Sequence, residues 1–266
     1  MHNVCILTDN TAQFSSDNFP GRDRVYTVPL DLAPAPAPNG HSPRRLLPPS
    51  PQTFMRYYGT LGKKYDAVLV VTLSSQLIPA SENARQGALL HSNHASIEVI
   101  DSQSTAAGLG MLVEAAAGAA AAGASLNEIE RIVRMSTGRI YMLMCVPEMR
   151  YLESFGLLTH TQAMVGEILG MLPILFMEDG QLVSLEKART PRHLFESFQE
   201  FLNEFSAPER VALLRGTGHT TTRTRPLRQY VQEKFPETPY REHPLNAPLS
   251  ALFGPQSIGI IVMEPA

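Results

Sequence analysis

A chain of 266 residues, 44% apolar and 18% charged, is long enough for one large domain or two modest ones, each with a real core. Its net charge of −3 argues against a nucleic-acid surface, which needs a basic stripe, and gives no sign of a patch for anionic membranes. The two cysteines, Cys5 and Cys145, each lie in an apolar strand-like run with no C-x-x-C spacing; they read as small buried hydrophobes, not as a disulfide or a zinc pair.

Val4-Cys5-Ile6-Leu7 predicts a first strand that stops at Thr8-Asp9-Asn10-Thr11. Without a basic region followed by a long apolar run it is not a signal peptide. No window reaches the apolar length of a membrane-spanning helix, and the expectation is a reduced, cytoplasmic protein. Val25–Pro29 is a second strand. From Asp31 to Pro51 the character changes, with Ala33-Pro34-Ala35-Pro36-Ala37-Pro38-Asn39-Gly40 an extended low-complexity loop. This is a surface excursion, either a flexible insertion or a lid.

Alternation then begins: helix at Pro51–Leu61, strand at Ala67–Leu73, helix at Pro79–His94, strand at Ile97–Ile100, helix at Thr105–Ala122. The run Ala67–Leu73 is short, rich in β-branched residues and buried in pattern on both faces. Such β-α-β alternation predicts a mostly parallel sheet. Leu126–Thr137 is a further helix, with Ser125 and Glu128 forming a capping box, and Arg139–Val146 is a strand. A boundary is expected near Pro147, giving an α/β domain over residues 1–147 and a smaller α+β domain over 148–266. In the second part we expect a helix near Gln162–Leu169, a strand at Pro173–Met177, and a hairpin turn at Glu178-Asp179-Gly180 into Gln181–Leu185. Helices at Pro191–Phe205 and Thr221–Phe235 and strands at Arg210–Leu214 and Ser257–Met263 complete it.

Catalytic patterns are missing. There is no G-x-G-x-x-G after a strand, no G-x-x-x-x-G-K-[ST] loop and no G-x-S-x-G elbow. His91 and His94 are three apart on the expected helix, with no carboxylate spaced to complete a metal site. Asp9 and Asp101 lack partners for base catalysis, and Glu178-Asp179 precede a glycine and read as a turn. No cofactor or metal is expected. Hydroxyls instead crowd the carboxyl ends of the strands, where ligands bind in open α/β sheets. Thr8-Asp9-Asn10-Thr11 is either a ligand-facing turn or an Asx turn. Ser74-Ser75 either donate to a ligand carboxylate or cap the next helix. Asp101-Ser102-Gln103-Ser104-Thr105 carries the same choice, with Ser104 or Thr105 as the cap. Arg189 and Arg192, beside His193, form either a docking surface for an acidic partner or a solvated helix start.

In order and spacing these residues resemble the DegV family of bacterial fatty-acid-binding proteins over nearly the whole chain. Leu7-Thr8-Asp9-Asn10-Thr11-Ala12 is similar to its T-D-S-T-A-D opening. Thr72-Leu73-Ser74-Ser75-Gln76-Leu77, with Asn83-Ala84, resembles S-S-x-L-S-G-T-Y-x-S-A. Val99-Ile100-Asp101-Ser102 with Gly108-Leu109-Gly110 resembles V-I-D-S…G-x-G. Gln162–Gly166, Pro173-Ile174-Leu175 and Leu185-Glu186-Lys187-Ala188-Arg189-Thr190 resemble the family's second domain, and Gly254-Pro255 with Gly259 its close. The resemblance implies a flavodoxin-like α/β domain beside a smaller α+β domain. It also implies a buried long acyl chain whose carboxylate is held by hydroxyls, and a separate fatty acid kinase that phosphorylates the carboxylate.

The departures from the family pattern share one direction. Leu46 stands where the family's T-S-Q-P-S loop has threonine, Ile78-Pro79-Ala80 replace S-G-T, Leu252 replaces the closing histidine, and Phe155-Gly156-Leu157-Leu158 lack the arginine of G-G-R-I. An ionised carboxylate buried without donors costs several kcal/mol. By the resemblance, the lipid site is expected at Asp9, Asn10, Thr11, Ser74 and Ser75, with Leu46, Ile78 and Leu252 lining its head-group end. Its ligand has a neutral or protruding head, or a carboxylate held in another way. The alternative is a regulatory or interaction protein of the same fold whose pocket is filled by its own side chains.

Overall fold

The computed structural model describes residues 3–33, 45–91, 95–154, 156–217 and 221–266, with only the backbone at 221–223. His94, Phe155 and most of the Pro-rich run lie outside these residues. In chain order the elements are β1 (Val4–Asp9), β2 (Val25–Val28), β3 (Asp31–Ala33), β4 (Arg45–Leu47), α1 (Pro51–Leu61), β5 (Ala67–Thr72), α2 (Ala80–Leu89), β6 (Ser96–Asp101), α3 (Ala106–Ala121) and α4 (Leu126–Thr137). They continue with β7 (Ile140–Cys145), α5 (Met149–Ser154), α6 (His160–Ile168), β8 (Leu172–Glu178), β9 (Gln181–Ala188), α7 (Pro191–Asn203), β10 (Arg210–Arg215), α8 (Thr221–Lys234), β11 (Tyr240–Pro244), α9 (Ala247–Phe253) and β12 (Ile258–Met263).

The chain divides into two compact units, one of Met1–Asp31 with Leu46–Gly138, the other of Leu32–Arg45 with Arg139–Ala266. The first is built on a parallel sheet of order β2-β1-β5-β6. Taken in sequence this is order 2-1-3-4, the flavodoxin-like winding, whose direction reverses between β1 and β5. Every residue of β1 and β5 is buried, as a strand covered on both faces requires. On one face Cys5, Leu7, Val68 and Val70 pack with Phe54, Tyr58 and Leu61 of α1 and Ala84 of α2; α3 and α4 pack on the sheet as well. The Ser125–Glu128 capping box of α4 is present as the sequence predicts. Burial pushes both the Cys5 and the Cys145 thiol up to about 12, so neither is a nucleophile at neutral pH.

The second unit holds a mixed sheet of order β11-β10-β12-β7-β8-β9. Leu143, Ile260 and Leu213 from its central strands pack with Phe198, Phe201 and Leu202 of α7 and with Leu227 and Val231 of α8. Asp179 (φ 48°) and Gly180 (φ 81°) form the two-residue turn between β8 and β9, the primed geometry that matches strand twist.

The expected boundary and the expected extent of the second helix are corrected. The boundary falls at Gly138–Arg139, before β7 rather than near Pro147, because β7 pairs with β12 and β8 of the second sheet. With β7 added, the second unit is the longer of the two. The excursion contributes a β3–β4 ribbon, and α2 ends at Leu89, so His91 lies beyond it and packs edge-on to Tyr58 with ring centroids 6.0 Å apart.

Candidate functional site

In the first unit the carboxyl end of the parallel sheet is held by two aspartates, each the last residue of its strand. The fully buried Asp9 takes N–H bonds from Thr11 (2.9 Å) and Leu73 (2.7 Å), and the Thr11 hydroxyl donates to it at 2.5 Å. Burial pushes its carboxyl above the ordinary value of 3.8, against the opposing pull of these donors. Asp101 repeats the device one strand on: it takes the N–H of Gln103 (3.0 Å) and both the N–H and the hydroxyl of Ser75. The turn after β5, Leu73–Ser75, is thus bonded on each side to a carboxylate.

The site residues expected here are spent largely on this turn. Asn10 Oδ1 accepts the N–H of Leu30 at 3.0 Å. Buried Ser74 donates its N–H to the Ser104 carbonyl (2.8 Å), and its hydroxyl oxygen accepts the N–H of Gln76 (3.2 Å). Neither serine caps α2, whose N-cap is Pro79. Thr105 does occupy the N-cap of α3, but its side chain makes no capping bond. Leu46 is buried at 4% exposure and Ile78 is half-buried.

The second unit contains a cavity of about 360 Å³ that the sequence reading did not place, within the size range of pockets that take small molecules. Met149 and Leu152 of α5, Leu157 and Leu158 of the following turn, Val165 of α6, and Met171, Pro173 and Leu175 near β8 make most of its wall. Thr161, Gln162, Ser184 and Lys187 supply its polar atoms, and Lys187 is the one charged residue of the described lining. A capping box starts α6, with Thr159 accepting the Gln162 N–H at 3.3 Å and Gln162 Oε1 accepting the Thr159 N–H at 2.9 Å. Gly166 lets α6 approach α5, since a Cβ there would meet Met149 Sδ at 2.2 Å. The outer side of α6 is apolar and exposed, with Met164 at 52% and Ile168 at 78%.

Sequence signals for this cavity existed without an assignment. Leu157 and Leu158 fall in the segment where the family pattern has G-G-R-I, and both line the wall. Leu252 lies in α9 at 4% exposure and is not among the lining residues. Arg189 and Arg192 are exposed; Arg192 bonds Glu196 at 2.8 Å, one turn along α7.

A DegV family model, described as "uncharacterised protein, DegV family", matches residues 40–265. A DegV domain-containing protein of Caldanaerobacter subterraneus subsp. tengcongensis is 38% identical over 141 residues, which are 53% of this chain and 50% of that protein. The chain thus spans about half the length of this curated relative. A fatty-acid-binding DegV family protein from Thermus thermophilus has the same fold, with a TM-score of 0.81 over 99% of this chain and 100% of that one, at 21% identity. The Streptococcus pneumoniae fatty acid kinase (Fak) B3 protein loaded with linoleic acid gives 0.82 over 99% and 100%, at 16% identity. A flavodoxin-like parallel sheet, a second mixed-sheet unit and a family match over most of the length agree, and the chain belongs to the DegV family.

Proposed function

We propose that this protein is a non-catalytic lipid carrier that buries the acyl chain of a long-chain fatty acid, or a related lipid, in the cavity between α5, α6, β8 and β9. The observation that carries this reading is the cavity itself: its wall is mainly aliphatic and thioether groups. Each buried methylene contributes ~0.8 kcal/mol, so a dozen contribute on the order of 10 kcal/mol before ordering costs. Fatty-acid binding by the Thermus protein and the linoleic acid held by the Streptococcus protein support a fatty acid as the class of ligand.

The head group has a polar choice within the same cavity. Leu46 and Leu252 are buried hydrocarbon and offer nothing to a carboxylate. Lys187, with Ser184 and Gln162 beside the same space, offers an ammonium and two uncharged polar groups. A carboxylate at Lys187 leaves the chain to fill the apolar part. Presentation to a separate fatty acid kinase is what the family resemblance implies, in keeping with the name of the Streptococcus protein, and exposed Arg189 and Arg192 are the docking surface proposed for a partner.

Native mass spectrometry of the freshly purified protein, followed by organic extraction, tests the reading. A co-purifying fatty acid supports it, and a different acyl lipid supports the carrier with altered specificity. Bare protein that also ignores added lipid would sink it, in favour of an interaction protein.

A further inference from the structure

At the first turn of α3, hydrogen-bonding groups are buried with no partner among the described residues. Ser104 is 3% exposed and Thr105 is 0% exposed, and neither the Ser104 Oγ nor the Thr105 Oγ1 has a partner among the described residues. The amides of Ala106, Ala107 and Gly108 have no acceptor among the described residues. Orphan amides are normal at a helix start, where water usually serves them. Here all three residues are buried, so bulk water is excluded. Five consecutive residues therefore present three N–H groups and two hydroxyls without partners, an arrangement costly to leave unmet.

The local backbone suits an anion. Ala106 has φ 51° although it is not glycine, and the helix follows at once. A left-handed residue joined to a right-handed one forms a concavity lined by successive N–H groups, which binds anions. No acidic side chain lies in the first turn, so the positive end of the helix dipole is not offset. Two carbonyls beside these groups are engaged elsewhere: that of Ala106 accepts the Gln13 N–H at 3.0 Å, and that of Ser104 accepts the Ser74 N–H and the Ser102 hydroxyl.

We propose that the N-terminus of α3 binds a small oxyanion, a phosphate or carboxylate group, through the Ser104 and Thr105 hydroxyls and the amides of residues 106–108. The site lies wholly in the first unit and does not rest on the acyl cavity of the second. Small side chains at Ala106, Ala107 and Gly108 add little bulk of their own beside the amides, as close approach of an oxyanion requires.

Calorimetric titration of the full chain at low ionic strength, with inorganic phosphate and then with acetate, reads the proposal. Saturable binding is expected, weakened at least about tenfold in the Ser104→Ala, Thr105→Val double variant. Thr105→Asp places a carboxylate on the same amides. It is expected to fold, by circular dichroism, and to lose phosphate binding, so the question stays decidable if the double variant does not fold. Stronger binding of phosphate identifies a phosphoryl source and stronger binding of acetate a carboxylate source; either supports the site. Absence of saturable binding of both anions, or affinity unchanged in Thr105→Asp, overturns it. Lipid extraction reads the acyl cavity separately, so failure of one proposal is not failure of the other.

Discussion

Asp9 joins β1 to the turn after β5, and its two oxygens face three donors. Asn in its place keeps one acceptor but turns an amide N–H₂ toward the remaining N–H or hydroxyl. Asp9→Asn is therefore expected to cost about 1–3 kcal/mol in chemical denaturation at constant pH. Because burial raises the Asp9 carboxyl above 3.8, the folded state binds its proton more tightly than the unfolded state. Its contribution is complete below 3.8 and is lost as pH rises through the raised folded value. The stability difference between the native protein and Asp9→Asn should shrink as pH rises across that window; a difference that grows would show the donors outweighing burial. Ala106 carries a strain of its own, and Ala106→Gly removes the penalty at φ 51°, raising stability by up to about 1 kcal/mol. That hydroxyls and carboxylates crowd the strand ends at residues 9–11 and 74–75 was legible in the sequence. Their hydrogen-bond partners lie as far as 64 residues apart, and no local pattern reports such a pairing.

Among the elements that line the cavity, α6 contributes Thr161, Gln162, Val165 and Gly166. Only Ala163 and Gly166 of it are buried, so little apolar burial fastens it, and local opening is expected at low cost. The Thr159 cap is correspondingly important: Thr159→Ala should cost about 1 kcal/mol in this helix and raise amide hydrogen exchange across α6 roughly fivefold. Lipid off-rates should rise in step, and exchange faster without faster release would mean that α6 is not the way out. Leu158→Trp should fill part of the cavity and abolish lipid retention while the chain stays folded, read by extraction and circular dichroism. Elements with long apolar runs or clear caps, β1, β5, α1 and α4, were legible from sequence within a residue or two. β3, β4, β11 and α9 were not, being three to seven residues long and rich in proline nearby, with too few positions to establish a period.

For the whole molecule, the two units were foreseen but their seam was not. The sequence around Ile140–Cys145 reads equally well as the last strand of the first sheet or the first strand of the second, and what decides is pairing with β12, more than a hundred residues away. The cavity was hidden for a similar reason, since it is a volume bounded by four elements and belongs to no stretch of chain. If it holds lipid, delipidated protein should gain stability on adding back fatty acid, by about 2.7 kcal/mol at a hundredfold excess over Kd. Lys187→Met should lower the preference for fatty acid over the matching alcohol roughly fivefold, the size expected of a partly solvated charge. An unchanged preference would move the head group elsewhere. The strand order of the second sheet also has a bearing on biosynthesis. β12 lies between β7 and β10, so the β7-β8-β9 and β10-β11 groups have no shared ladder until it arrives. On the ribosome, the first unit has all its strands once Asp101 has emerged and its helices once Thr137 has. The second waits with two open edges for residues 258–263, and any stall or truncation before them leaves a half-sheet exposed to aggregation or proteolysis.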